Sequence, residues 1–115
     1  MWYTVLEAKQ SDDFEISAKV KTEDDSPWFP GHFPGTPILP GVAQLGMVSD
    51  LISKFSKNDV YVQSLSRVKF KKISKPRDLL SIHAFPEKKK GSYFFRIEDS
   101  EDEICSGILM LANKE

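Results

Sequence analysis

His32 sits in the stiffest stretch of this 115-residue chain, in the run Gly31-His32-Phe33-Pro34-Gly35-Thr36-Pro37-Ile38-Leu39-Pro40-Gly41. Residues 24–41 hold five of the seven prolines and three of the six glycines. Each proline fixes φ and removes a donor, and each glycine opens conformations closed to other residues, so such a loop is irregular yet restrained. Histidine is the side chain whose ordinary pKa lets it take or give a proton near neutrality. A helical pattern begins at Gly41, and a helix start offers unpaired N–H groups to an oxygen that gains negative charge. A base beside such a site suits proton abstraction next to a carbonyl. A histidine in a loop is more often a surface or packing residue, but the Pro/Gly framing on both sides argues for the chemical role. Asp50 is the acid of the helix that follows, one turn beyond Gly46 on the same face. It can lean into the space left by Gly46, among Val, Leu and Ile. It can equally be a solvent-facing acid near the helix end.

These residues need elements to hold them. Phe14, Ile16, Ala18 and Val20 alternate with Glu15, Ser17, Lys19 and Lys21, the period of a half-buried strand. Residues 2–7 supply a partner strand across a turn at Ser11-Asp12-Asp13. From Gly41 to about Lys57, Val42, Leu45, Val48, Ile52 and Phe55 recur at helical steps. Met47 and Leu51 fall off that stripe, which predicts a helix buried on more than one side. Strands then follow at 60–73, 79–85, 92–98 and 103–111, with turns at Lys75-Pro76-Arg77-Asp78, Lys88-Lys89-Lys90-Gly91 and 99–102. The order predicts a single α+β domain over residues 1–115: two strands, a stiff loop, one long helix, and a four-stranded antiparallel meander. The sheet wraps the helix. His83 is expected to be an exposed strand residue and Cys105 a buried small hydrophobe.

The segment His32-Phe33-Pro34-Gly35-Thr36-Pro37-Ile38-Leu39-Pro40-Gly41-Val42 closely resembles the active-site segment of the 3-hydroxyacyl-(acyl-carrier-protein) dehydratases, hotdog-fold enzymes of fatty acid synthesis. That family reads His-Phe-Pro-Gly-x-Pro-(Val/Ile)-(Met/Leu)-Pro-Gly-Val. The likeness extends more weakly through Arg67-Val68-Lys69-Phe70-Lys71-Lys72 and Lys75-Pro76-Arg77-Asp78, so that residues 14–112 are covered. It implies a hotdog fold and a dimer, with the acyl chain between subunits and the substrate on the phosphopantetheine arm of an acyl carrier protein. It implies that His32 removes the C2 proton, and that backbone N–H groups near Gly41 and Val42 hold the thioester oxygen. Phe33 and Gly46 join them as substrate-binding positions. No metal or diffusible cofactor is implied. The family's acid falls at Gly46, where this chain has no carboxylate, leaving Asp50, His32 itself or a second hotdog subunit as the proton source.

Charge adds a partner. Residues 66–90 carry nine Lys or Arg against Asp78 and Glu87, a net +7 that leaves −8 elsewhere. Such a surface suits an acidic partner, and Arg67, Lys69 and Lys72 are the candidate docking residues for the carrier protein. Solvated strands with outward lysines are the plainer alternative. A net charge of −1 and little aromatic interleaving argue against nucleic acid. With one cysteine there is no disulfide framework or multi-cysteine metal site. No stretch approaches the roughly 18 apolar residues of a membrane span, and no secretory signal is legible, so a cytoplasmic location is expected. The function expected is a dehydratase acting on 3-hydroxyacyl thioesters. The alternatives are a non-catalytic or partner-dependent acyl-thioester-binding subunit in a homodimer or mixed dimer, or a hotdog thioesterase.

Overall fold

Successive side chains of a strand point to opposite faces of its sheet, so period-two apolar patterning decides which face meets the helix. The computed structural model describes residues 3–22, 41–56, 60–71 and 79–113. They form β1 (Tyr3–Gln10), β2 (Ile16–Thr22), α1 (Gly41–Phe55), β3 (Val60–Phe70), β4 (Leu79–Pro86), β5 (Ser92–Glu98) and β6 (Glu103–Asn113). All six strands join one antiparallel sheet in the order β1-β2-β4-β5-β6-β3. One helix against one antiparallel sheet is the α+β hotdog arrangement.

The alternation works as the sequence suggests. Ile16, Ala18 and Val20 of β2, Leu80, Ile82 and Ala84 of β4, and Phe95 and Ile97 of β5 are all buried. From α1 they meet Met47, Val48, Leu51 and Ile52, each at most 5% exposed. Burying side chains of this size stabilises the domain by about 1.5–3 kcal/mol each before conformational entropy is counted.

Three details differ from the sequence-based expectation. Phe14 does not begin β2: it is 66% exposed with φ 64°, inside the β1–β2 turn. Ser11 builds that turn, its Oγ accepting from the Asp13 and Glu15 amides while its own N–H donates to the Glu15 carbonyl. The strand register therefore starts at Ile16, opposite Gln10. Second, the meander holds only for β4, β5 and β6. β3 lies on the far edge, paired to β6, because alternation fixes which face a strand buries and not which neighbour it takes. Third, this chain leaves one side of the wrapped helix exposed, at Gly46, Asp50 and Lys54.

β3 is irregular for a visible reason. Its register with β6 shifts between Ser66 and Lys69, and Arg67 adopts φ 54° there. The extra residue swings Val68 over Gly107 of β6, where a Cβ would stand 2.9 Å from Val68 Cγ2 and 3.0 Å from Val68 Cα. Glycine is needed at 107 to admit the bulge.

Candidate active site

The register places the elements end to end. Tyr3, Thr22, Leu79, Glu98, Glu103 and Phe70 lie toward one end of the sheet, as their pairings require. At the opposite end a 520 Å³ cleft joins Ile52, Phe55 and Ser56 of the helix C-terminus to Phe14, Lys90 and Tyr93. The start of α1, Gly41, is therefore at the Tyr3–Thr22 end. The chain also leaves β2 there, at Thr22, before residues 23–40. His32, Phe33 and Lys72 lie outside the described residues. For Gly41 and Val42 the helical backbone is described: they open α1, where amide groups have no intrahelical acceptor.

Gly46 faces open space, and a Cβ built there meets nothing within 4 Å. A glycine inside a helix costs roughly 1 kcal/mol relative to alanine, yet no neighbour among the described residues requires it. Asp50, one turn on, is exposed rather than sunk among Val, Leu and Ile. Instead it reaches across to the first strand. The Tyr3 hydroxyl donates to Asp50 Oδ2 at 3.3 Å, over 47 positions of sequence. Burial first, then the Asp50 charge and this hydrogen bond, push the Tyr3 phenol up to about 12. Tyr3 therefore stays protonated at neutral pH and is the donor of the pair.

The pair lines a groove of about 490 Å³ between β1 and α1. Its walls are Val5, Val20, Met47, Leu51 and Ile82, with Lys54 at the rim. The volume lies in the range of small-ligand sites. Tyr3 was not singled out in the sequence. The available signal was its place on the same strand face as Val5, because a phenol turned toward a core needs a polar partner.

Among the described residues, the basic run from 66 to 90 falls on two surfaces. Arg67 and Lys69 are exposed near the Phe70–Cys105 end, where Lys71 pairs with Glu103 and holds that carboxyl below its usual range. Lys88, Lys89 and Lys90 form the β4–β5 turn, beside Gly91, whose carbonyl accepts from the Leu111 amide. Cys105 to Leu111 is about 20 Å of strand. His83 is half-buried rather than exposed: its Nε2 is 3.3 Å from Glu98 and its ring stacks on Phe85. That is a structural role. Cys105 is fully buried, as expected, and burial pushes its thiol up to about 12. Among the described residues no group of three His, Cys, Asp or Glu could hold a metal, and no helix is long and apolar enough to cross a membrane.

Comparison with known proteins extends this picture. The ApeI-like family, described as ApeI dehydratase, matches residues 7–108. The 3-hydroxyacyl-(acyl-carrier-protein) dehydratase FabZ of Caldicellulosiruptor bescii is 35% identical over 101 residues, covering 78% of this chain and 71% of the relative. FabZ of Syntrophomonas wolfei is 33% identical over 98 residues, covering 76% and 68%. The dehydratase heterocomplex ApeI:P from Xenorhabdus doucetiae contains a chain that superposes with a TM-score of 0.87 at 26% identity, covering 98% of this chain and 100% of that one. A hypothetical thioesterase from Streptococcus pneumoniae shares the fold at 13% identity and a TM-score of 0.62.

Proposed function

The chain belongs to the ApeI-like dehydratase family, and from that premise we propose that it removes water from 3-hydroxyacyl groups carried as thioesters on an acyl carrier protein. The observation that carries the reading is the family match over residues 7–108, which takes in the first strands, the His32 segment and the whole of α1. The thioesterase likeness extends to fold alone.

The proposed roles follow from what the elimination needs. A C2 proton beside a thioester leaves as its electrons delocalise onto the carbonyl oxygen. His32 takes that proton. The amide groups of Gly41 and Val42 face the oxygen at the helix start, where preorganised donors lower the barrier most. Phe33 and the open space at Gly46 accommodate the acyl group. The 3-hydroxyl departs only as water, so a proton must reach it, from Asp50 or from a carboxylate on a second hotdog chain. The reading needs no metal or diffusible cofactor, because the thioester itself acidifies C2–H. The phosphopantetheine arm belongs to the substrate's carrier.

Arg67, Lys69 and Lys72 are the proposed docking surface for the acidic carrier. Support comes from the exposure of Arg67 and Lys69 near the end where α1 begins. The proposed assembly is a dimer, either of two identical chains or mixed, acting in the cytoplasm. β3 is an open edge of 11 residues with Tyr61, Val62, Leu65 and Phe70 exposed, whereas β1, the other edge, is blunted by a bulge at Val5/Glu7. A relative in a dehydratase heterocomplex supports the same arrangement.

The test is enoyl formation from 3-hydroxyacyl carrier protein. His32→Ala should lower the rate by about 10²–10⁴-fold with the circular dichroism spectrum unchanged. Near-full activity in that variant would leave His32 with a structural role only.

A further inference from the structure

The cleft at the far end of the helix has no part in the chemistry above, and its lining is divided. One half, of 520 Å³, is walled by Phe14, Ile16, Ile52, Phe55, Pro86 and Tyr93. The other, of 360 Å³, shares Ile52, Ser56, Lys90, Gly91 and Tyr93 with it and runs on to Leu111 and Asn113. Lys90 therefore stands where the halves meet. The turn that carries it is pinned. The Glu87 amide donates to the Ser92 carbonyl at 2.8 Å, the Ser92 amide to the Lys89 carbonyl at 3.0 Å, and the Leu111 amide to the Gly91 carbonyl at 2.8 Å. Gly91 has φ 86°, and a Cβ there would stand 2.6 Å from the Leu111 carbonyl oxygen, so glycine is what brings the turn this close to β6.

Charge is divided in the same way. Glu87 lines the first half, where its carboxylate accepts from the Ser92 hydroxyl at 2.6 Å. Among the described residues no carboxylate lines the second half, and none forms an ion pair with Lys90. The acids of the β1–β2 turn, Asp12, Asp13 and Glu15, line neither half.

We propose that this cleft binds one molecule of a single-chain aliphatic carboxylate, with the carboxylate on Lys90 and the tail between Phe14, Phe55 and Tyr93. The second half offers the Lys90 ammonium and the Asn113 amide, two donors for the two oxygens of a carboxylate. A phosphate dianion calls for more positive charge, and the described lining has no arginine fork for it. The C-terminal end of α1 beside Ser56 repels an anion, so the head stands at the Lys90–Asn113 wall rather than against the helix. Phe14 lines the first half yet is 66% exposed, so a tail beside it covers ring surface that the fold leaves in water. From Leu111 on β6 to Ile16 on β2 the cleft crosses three strand spacings, about 14 Å, the reach of an extended dodecanoate chain. A bilayer is a poorer occupant, because Asp12, Asp13 and Glu15 flank Phe14 and are repelled by an anionic surface. The inference does not rest on the dehydratase reading: α1 has 15 residues, which puts this cleft about 22 Å from the helix start.

The experiment is calorimetric titration of the full chain with dodecanoate below its micelle concentration, with Lys90→Gln, Phe14→Asn and Lys88→Gln in parallel. All three positions are exposed, and asparagine accepts the positive φ at 14, so the fold is retained. Saturation at one molecule per chain is expected. Lys90→Gln should weaken binding by about 10-fold or more, the range of a hydrogen bond to a charged group. Phe14→Asn should weaken it by about 3- to 10-fold through lost apolar contact. Lys88→Gln should change it by less than about 2-fold, because Lys88 lines neither half and acts only through screened charge. Dodecanol and acetate, each lacking one end of the ligand, should bind at least about 10-fold more weakly. No saturable dodecanoate binding, more than one molecule per chain, or equal losses in Lys88→Gln and Lys90→Gln would overturn the inference. So would tighter binding of dodecyl phosphate, which would make the head a phosphate. Sedimentation with anionic vesicles that Phe14→Asn abolishes would overturn it too, in favour of a membrane surface. Binding that survives both Lys90→Gln and Phe14→Asn would lie at the substrate's own acyl site, removing the ligand from this cleft while the dehydratase reading stands.

Discussion

Gly46→Ala tests whether the space on the outer face of α1 is open in the working protein. A Cβ at this position meets nothing within 4 Å among the described residues. The substitution therefore carries no steric cost and gains only the helix propensity difference, about 0.8–1.0 kcal/mol. An unfolding entropy of about 2.1 cal/mol/K per residue over 115 residues comes to about 0.24 kcal/mol/K, so 1 kcal/mol raises Tm by about 4 °C. Thermal unfolding followed by circular dichroism reads this directly, at two protein concentrations a factor of ten apart to separate folding from assembly. Sedimentation of the same samples reports the oligomer. A Tm that falls, or an assembly that dissociates, would refute the reasoning: a second chain would then be packed against Gly46, and the position could not be a place for substrate.

Gly46→Glu restores a carboxylate at the position where the dehydratase motif carries its acid; with Asp50 as the donor its turnover should not rise, and an increase would show that the acid was missing. Gly107→Ala should lower stability by about 1–3 kcal/mol in urea unfolding, because the new methyl meets Val68 Cα at 3.0 Å, a backbone neighbour that cannot rotate aside; an unchanged midpoint would mean the β3 bulge moves freely. Cys105 should react with iodoacetamide at pH 8.5 at least about 10³-fold more slowly than a free thiol, since a thiol at about 12 offers almost no thiolate there; fast alkylation of folded protein would place it at the surface. Charge reversal at Arg67 and Lys69 should weaken carrier binding and flatten its salt dependence, while reversal at Lys88 and Lys89 should not; equal losses from both sets would mean that net charge alone drives the encounter.

Much of the fold was legible because it depends on local periods. Period two in Ile16–Val20 and Leu80–Ala84 set the inward face, and Met47, Val48, Leu51 and Ile52 marked the buried side of the helix. What local pattern does not contain is neighbourhood. β3 follows the helix and precedes β4 in sequence, yet pairs with β6. Its exposed Tyr61 and Leu65 alternate no differently from a buried strand's residues. Phe14 failed for a related reason: it continues the apolar alternation, but two amide-to-Ser11 hydrogen bonds close a turn around it and outweigh the burial of one ring.

The site divides along the same line. Residues joined by short spacing could be read together: His32 with the helix start at Gly41, and Gly46 with Asp50. Residues joined only by the sheet could not. Tyr3 reaches Asp50 because β1 is antiparallel to β2, β2 to β4, and the helix crosses the sheet face those strands share. No spacing of 47 residues encodes that meeting. The same geometry divides the basic run, since β6 separates Lys69 from Lys90 by most of its length whatever their distance in sequence. The consequence for function is physical. Among the described residues of the basic run, Arg67, Lys69 and Lys71 lie toward the helix-start end, so under the proposed function they are placed to steer an acidic carrier toward Gly41 at short range, where screening leaves the attraction in force. A lysine cluster some 20 Å away adds to net charge but not to orientation.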